Sequence, residues 1–148
     1  MGKDAVEGRV TVFPLWVVLG DLDSIKEIND SFGHEAGDIV LRAFADCLKK
    51  TTRISDMCAR LGGDEFLLVI SHVNAENIEV AINRFREQFS ALSFPFFGQS
   101  VSVTATFGVA GSESGEIKDF ETLVRKADEM LYEAKRAGRN CVRVAKLA

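Results

Sequence analysis

The sequence predicts an α/β sandwich: helices covering a mainly antiparallel sheet, elaborated from a βαββαβ core. Three observations carry this. Residues 13–19 form a nearly continuous apolar run ending in Gly20-Asp21, the pattern of a strand buried on both faces. Residues 35–50, 77–92 and 119–137 repeat apolar side chains at helical spacing. Between the first two of these stretches, Gly62-Gly63 separates two strand-like runs, Met57-Cys58-Ala59 and residues 66–70, as the turn of a tight hairpin does. Strands and helices in this order fold as layers around a shared apolar core.

Taken in order, residues 1–9 are polar and expected to be loose. Residues 24–31 have helical character, with Ile25 and Ile28 three apart. In residues 35–50, Ile39, Leu41, Ala43, Phe44, Cys47 and Leu48 give a broad apolar face. In residues 77–92 the face is Ile78, Val80, Ala81, Ile82, Phe85 and Phe89. Residues 101–109 alternate through Val101, Val103, Ala105, Phe107 and Val109, which predicts one half-buried strand. Residues 111–116 read as a loop. Residues 119–137 carry Phe120, Leu123, Val124, Ala127, Met130, Leu131 and Ala134 on one stripe, and Gly138 stops the helix. Residues 141–144 make a last strand. With no internal repeat or linker, residues 1–148 are expected to be one domain.

A hydrophobic fraction of 47% in 148 residues is ample for a core and excludes a disordered chain. The net charge of −4 gives no global attraction to a nucleic-acid polymer or an acidic membrane, so any nucleotide has to be held by a local site. Cys47, Cys58 and Cys141 lie far apart without metal spacing and read as core thiols in a reducing compartment. The apolar stretch of residues 10–19 is too short to span a bilayer, and no signal-peptide pattern follows it. A soluble, cytoplasmic protein without a membrane segment of its own is expected.

The chemistry concentrates in Arg60-Leu61-Gly62-Gly63-Asp64-Glu65-Phe66. Glycines in the turn supply positive φ and let a ligand approach the backbone. The adjacent carboxylates repel each other, and a bound cation would relieve that cost. A second acid cluster, Asp21-Leu22-Asp23, ends the first strand. If the two strands are neighbours, Asp21 and Asp64 meet at one end of the sheet and make a Mg2+ or Mn2+ site beside an incoming triphosphate. The bland alternative is that Asp21 and Asp23 cap the next helix, and for Asp23 capping is the favoured reading.

Four segments together resemble the GGDEF family, the diguanylate cyclases. Asp64 lies in the GGDEF run itself. Residues 21–30, DLDSIKEIND, are similar to the family's DxDxFKxxND segment, and residues 32–38, FGHEAGD, to its (Y/F)GHxxGD segment. Residues 127–140, ADEMLYEAKRAGRN, are similar to its closing ADxxLYxAKxxGRN segment. The resemblance covers residues 15–146 and implies a ferredoxin-like, palm-like architecture of the nucleotide cyclase type. It implies Asp21, the Leu22 carbonyl and Asp64 as metal ligands, with Glu65 as a further ligand or base. Asn29 and Asp38 match the family's base readers; an Asp accepts from guanine N1–H and N2–H, where adenine offers a different pattern. Lys26, Lys135 and Arg139, with Gly62 and Gly63, match the positions that hold GTP. Lys135 and Arg139 are four apart, on one side of a helix that then stops, which suits a shared anionic target. His34 belongs to the structural loop. Arg53 and Asp56 match the family's RxxD inhibitory site for the product, cyclic di-GMP, and Arg84 is placed to add a basic contact.

The implied activity is condensation of two GTP into cyclic di-GMP and two pyrophosphates across a homodimer, with an N-terminal sensor or regulatory region upstream that can tether the full-length protein to a membrane. A GGDEF domain that only binds GTP or cyclic di-GMP is the alternative, from a different functional class. Departures from the family pattern are Ile25 in place of phenylalanine, Trp16, Gly20, and the absence of a DxLTGLxNR-like opening in residues 1–12. Gly20 is expected to loosen the metal loop.

Overall fold

A computed structural model describes residues 13–51, 56–115 and 119–147. The expectations for residues 1–9 and for Arg53 fall outside them. The elements run β1 (Leu15–Leu22), α1 (Ile25–Phe32), α2 (His34–Thr51), β2 (Met57–Gly62), β3 (Glu65–Ser71), α3 (Ala75–Ser90), β4 (Phe94–Phe96), β5 (Gln99–Val101), β6 (Ala105–Ser112), α4 (Phe120–Arg136) and β7 (Val142–Lys146). The central sheet has the order β2-β3-β1-β6-β7, antiparallel throughout except for the parallel pair β6–β7. This is the predicted palm-like α/β sandwich: βαββαβ, with α4 and β7 added to it.

Alternation along β1 decides the two faces. Trp16, Val18 and Leu22 point into the larger core, with Phe44 and Leu48 of α2 and Ile78, Ile82, Phe85 and Phe89 of α3. Val17 and Leu19 point to the opposite face, where Leu123, Ala127 and Leu131 of α4 cover them. Phe44 lies at the centre of the larger core, with ring centroids 5.0 Å from Phe66, 5.5 Å from Phe85 and 4.9 Å from Phe89, mostly edge-on. Asn74 caps α3 by accepting from the Asn77 N–H at 2.8 Å, and Asp119 caps α4 by accepting from Thr122 N–H at 2.7 Å.

The region of residues 101–116 differs from its sequence reading. The predicted single strand is two: β5 belongs to a separate β4–β5 hairpin, and β6 begins only at Ala105. Gly111 and Ser112, expected in a loop, continue β6. Nor is β6 half-buried, since all eight of its residues are buried. The alternation of Ala105, Phe107 and Val109 reports the large core, while Thr106, Gly108 and Ala110 face α4. These residues are small because α4 lies close: a Cβ on Gly108 would overlap the backbone of Ala127 and Leu131.

Gly20 also departs from expectation. It sits within β1, paired with Phe66 on one side and Phe107 on the other. The Phe107 ring covers it, with Cε2 at 2.7 Å from where a Cβ would stand. The glycine makes room for a core aromatic and does not loosen the strand. Cys141, placed in the last strand from sequence, precedes β7; all three cysteines are free and half-buried.

Candidate active site

β1 and β3 are hydrogen-bonded neighbours, so one end of the sheet gathers both acid clusters. Asp21 pairs with Glu65 on one side and Thr106 on the other. The Leu22 N–H donates to the Asp64 carbonyl at 3.2 Å, which ties the hairpin turn to the end of β1. Gly62 and Gly63 have φ of 150° and 46°, and open space lies where their side chains would be. Arg60 braces this turn by donating through Nε to the Gly63 carbonyl at 2.9 Å, and through Nη2 to the same oxygen.

Asp21 shares the α4 face with Val17 and Leu19. Lys135, in the last turn of α4, forms an ion pair with Asp21 Oδ2. Asp21 Oδ1 is buried without a hydrogen-bond partner. Burial pushes the Asp21 carboxyl up from 3.8 to about 6; the Lys135 ammonium opposes the rise and the neighbouring Asp64 carboxylate adds to it. A buried carboxylate oxygen left unpaired is costly. Beside a second carboxylate, it fits a hard divalent cation, which takes oxygen donors. Among the described residues no group of three His, Cys, Asp or Glu side chains is placed to hold a metal. Two carboxylates with open coordination are what Mg2+ uses when substrate phosphates complete its shell.

Asp23 does not cap α1. The N-cap residue, Ser24, has φ of 67° and makes no side-chain capping bond. Asp23 is buried, with 4% of its surface exposed. Its Oδ2 accepts from Thr104 Oγ1 at 2.7 Å, and its Oδ1 from Thr106 Oγ1 at 2.8 Å. The carboxylate points back over the sheet end because Thr104, just before β6, and Thr106 within it offer two hydroxyls there, a stronger demand than a helix terminus open to water.

Asn29 lies within α1, and its Oδ1 is buried without a partner against Gly37, where no Cβ would fit. Asp38 is exposed in the second turn of α2, one residue from that contact. It lines a cleft of about 540 Å³ with Leu41, Arg42, Lys49, Arg60 and Phe66, between α2 and the β2–β3 hairpin. Lys26 is exposed in the first turn of α1, and His34 begins α2, also exposed. Lys135 and Arg139 do not share a helix: α4 ends at Arg136, and Arg139 lies beyond it with φ of 64°. Its guanidinium approaches Asp23 Oδ1 at 3.8 Å. Asp56 is half-buried just before β2, and Arg84 is exposed on α3.

The sequence reading missed Thr104, Thr106, Asn140 and Arg86, which tie this end of the sheet together. The Asn140 N–H donates to Thr106 Oγ1 at 2.9 Å and Asp23 Oδ2 at 3.2 Å, and Arg86 Nη1 donates to Asn140 Oδ1 at 2.8 Å. Two of these gave a signal: Thr106, a polar residue in an apolar strand, and Asn140, which closes the GRN segment.

The sequence model of the family "Diguanylate cyclase, GGDEF domain" matches residues 7–141. Diguanylate cyclase A of Treponema denticola is 36% identical over 132 residues, covering 89% of this chain and 35% of that protein. Diguanylate cyclase DgcP of Pseudomonas aeruginosa is 40% identical over 125 residues, 84% of this chain and 18% of that protein. The chain thus spans about a third or less of these two curated relatives. Among solved structures, the GGDEF domain of DgcB from Caulobacter crescentus in complex with c-di-GMP superposes with a TM-score of 0.83 at 27% identity, covering 89% of this chain and 78% of that one. The active GGEEF domain of a diguanylate cyclase from Vibrio cholerae gives 0.80 at 32% identity, covering 92% and 85%. With the palm-like sheet and the glycine hairpin facing Asp21, these matches show that the chain belongs to the GGDEF family of diguanylate cyclase domains.

Proposed function

We propose that this domain condenses two GTP molecules into cyclic di-GMP with release of two pyrophosphates. The observation that carries the proposal is the meeting of Asp21 and Asp64, one with an unpartnered buried oxygen, beside Lys135 and an open glycine turn. A Mg2+ or Mn2+ ion bound there would neutralise phosphate charge and lower the pKa of a nearby hydroxyl. Asp21, Asp64 and the Leu22 carbonyl would hold it, with Glu65 beside them as ligand or base. Asn29 and Asp38 read guanine, while Lys26, Lys135, Arg139 and the Gly62-Gly63 backbone take the triphosphate. Each 3′-hydroxyl attacks the α-phosphate held by the other subunit, so the site is complete only across a homodimer, and positioning supplies much of the rate. Product binds at Arg53, Asp56 and Arg84 and inhibits. The domain works in the cytoplasm under an N-terminal regulatory region; among the described residues no helix is long and apolar enough to cross a membrane.

The test is GTP turnover with Mg2+ by this chain, alone and fused to a dimerising segment. Cyclic di-GMP formation that rises on fusion supports the proposal. GTP binding without turnover in either form would overturn it in favour of a receptor.

A further inference from the structure

Arg139 and Asn140 hold consecutive left-handed conformations, φ of 64° and 48°. The preceding residues explain only the start of this. The Arg139 N–H returns to the Ala134 carbonyl at 3.0 Å and the Gly138 N–H to the Lys135 carbonyl at 3.3 Å, a Schellman closure with Gly138 at φ of 122°. That closure needs one left-handed residue, and Gly138 supplies it. For arginine the same conformation is strained, so something beyond the helix end must hold it.

The holding group is Asp23. Its carboxylate, itself fixed by the Thr104 and Thr106 hydroxyls, accepts the Asn140 N–H at 3.2 Å and faces the Arg139 guanidinium at 3.8 Å. Thr106 Oγ1 takes the same N–H at 2.9 Å, and Arg86 fixes the Asn140 side chain from α3. Asp23 is two residues from Asp21, and its N–H is bonded to the Thr104 carbonyl at 2.9 Å. One segment, Asp21-Leu22-Asp23, therefore carries the carboxylate beside Asp64 at one end and the anchor of the Arg139 loop at the other.

We infer that Asp23 is a positioning residue: it caps no helix, but holds the Arg139-Asn140 loop so that the Arg139 guanidinium is presented to the polyphosphate of a bound nucleoside triphosphate. This rests on the proposed GTP site and adds to it a role for the second aspartate of the Asp21-Leu22-Asp23 segment. A charged residue with 4% exposure whose partners are two hydroxyls, a backbone N–H and a loop arginine is placed to set a loop.

The test compares calorimetric affinities for GTP and for guanosine at fixed Mg2+, in wild type, Asp23→Asn, Arg139→Ala and the double variant. Asp23→Asn should weaken GTP about tenfold while leaving guanosine unchanged, because only the triphosphate needs the arginine. In the Arg139→Ala background the same change should cost almost nothing further. Equal losses for GTP and guanosine, or additive losses in the double variant, would overturn the inference and leave Asp23 a structural residue. If Asp23→Asn does not fold, Thr104→Val removes one of its donors and should show the same GTP-selective loss in smaller degree; unchanged GTP affinity in that variant overturns the inference. Failure of wild type to bind GTP at all would instead overturn the proposed function.

Discussion

Lys135 closes one oxygen of Asp21 with an ion pair and leaves the other buried and unpartnered. The ammonium is at once the counter-ion that keeps Asp21 tolerable in a buried place and a cation beside the proposed phosphate site. On the proposed function, a metal ion would give Asp21 a new positive partner and a triphosphate would give Lys135 a new negative one, so neither charge would be left alone.

Asp21→Asn and Asp64→Asn should each abolish cyclic di-GMP formation and leave the fold intact. Each removes one carboxylate from a two-carboxylate cation site. Circular dichroism checks the fold and chromatography of the nucleotides checks turnover. Normal turnover by either variant at matched Mg2+ would refute the metal assignment.

The metal-free protein should show an inverted pH dependence at Asp21. Its carboxyl titrates near 6 in the folded chain against 3.8 ordinarily, so the folded state holds the extra proton between these values. Its contribution to stability is therefore greatest at and below pH 4 and is lost as pH rises through 6, by about 2 kcal/mol once solvent screening is allowed for. Melting of wild type relative to Asp21→Asn should fall between pH 4.5 and 7.5, and Mn2+ should restore the loss in wild type alone. A difference independent of pH would exclude the shift.

Asp38→Ser should weaken the preference for GTP over ATP. Removing an acceptor for guanine N1–H and N2–H costs on the order of 1.5–3 kcal/mol, or about tenfold or more in competition. An unchanged preference would show that the cleft beside Leu41 and Arg42 does not read the base.

The two tightly packed strand glycines should differ in cost. Gly108→Ala drives a methyl into the backbone of α4, which cannot move without unpacking Leu123, Ala127 and Leu131; about 3 kcal/mol, or roughly 9 °C in melting temperature, should be lost. Gly20→Ala meets only the Phe107 ring, which can tilt, and should cost about 1 kcal/mol. Equal losses would mean that the strand, not the helix above it, sets the limit.

Most of the framework was legible because periodicity reports burial: the runs around Phe44, Ile82 and Leu131 named their helices, and the glycine pair named its hairpin, although Gly62 ends β2 and the turn itself is Gly63-Asp64. The region of residues 94–112 was not. There an alternating pattern came from one face of β6, and the identity of the other face depended on how close α4 packs, which is a tertiary fact. The site divided in the same way. Motif spacing pointed to Asp21 and Asp64, which the fold brings together, and to Asn29 and Asp38, which it places on neighbouring helices. It misread Asp23, because its partners Thr104, Thr106 and Asn140 lie more than eighty residues away in sequence and no local pattern links them.

Trp16 stands at the far end of β1 from Asp21, fully buried, with Nε1–H donating to the Val73 carbonyl at 2.6 Å. It is the chain's one tryptophan. Five residue steps along the strand, about 16 Å, separate it from Asp21. Its emission is therefore an optical gauge of whether the sheet is intact that a nucleotide at the other end does not touch. A wavelength shift on adding nucleotide would report a change relayed through the sheet and its core, so the same fluorophore that times unfolding also tests whether occupancy deforms the framework.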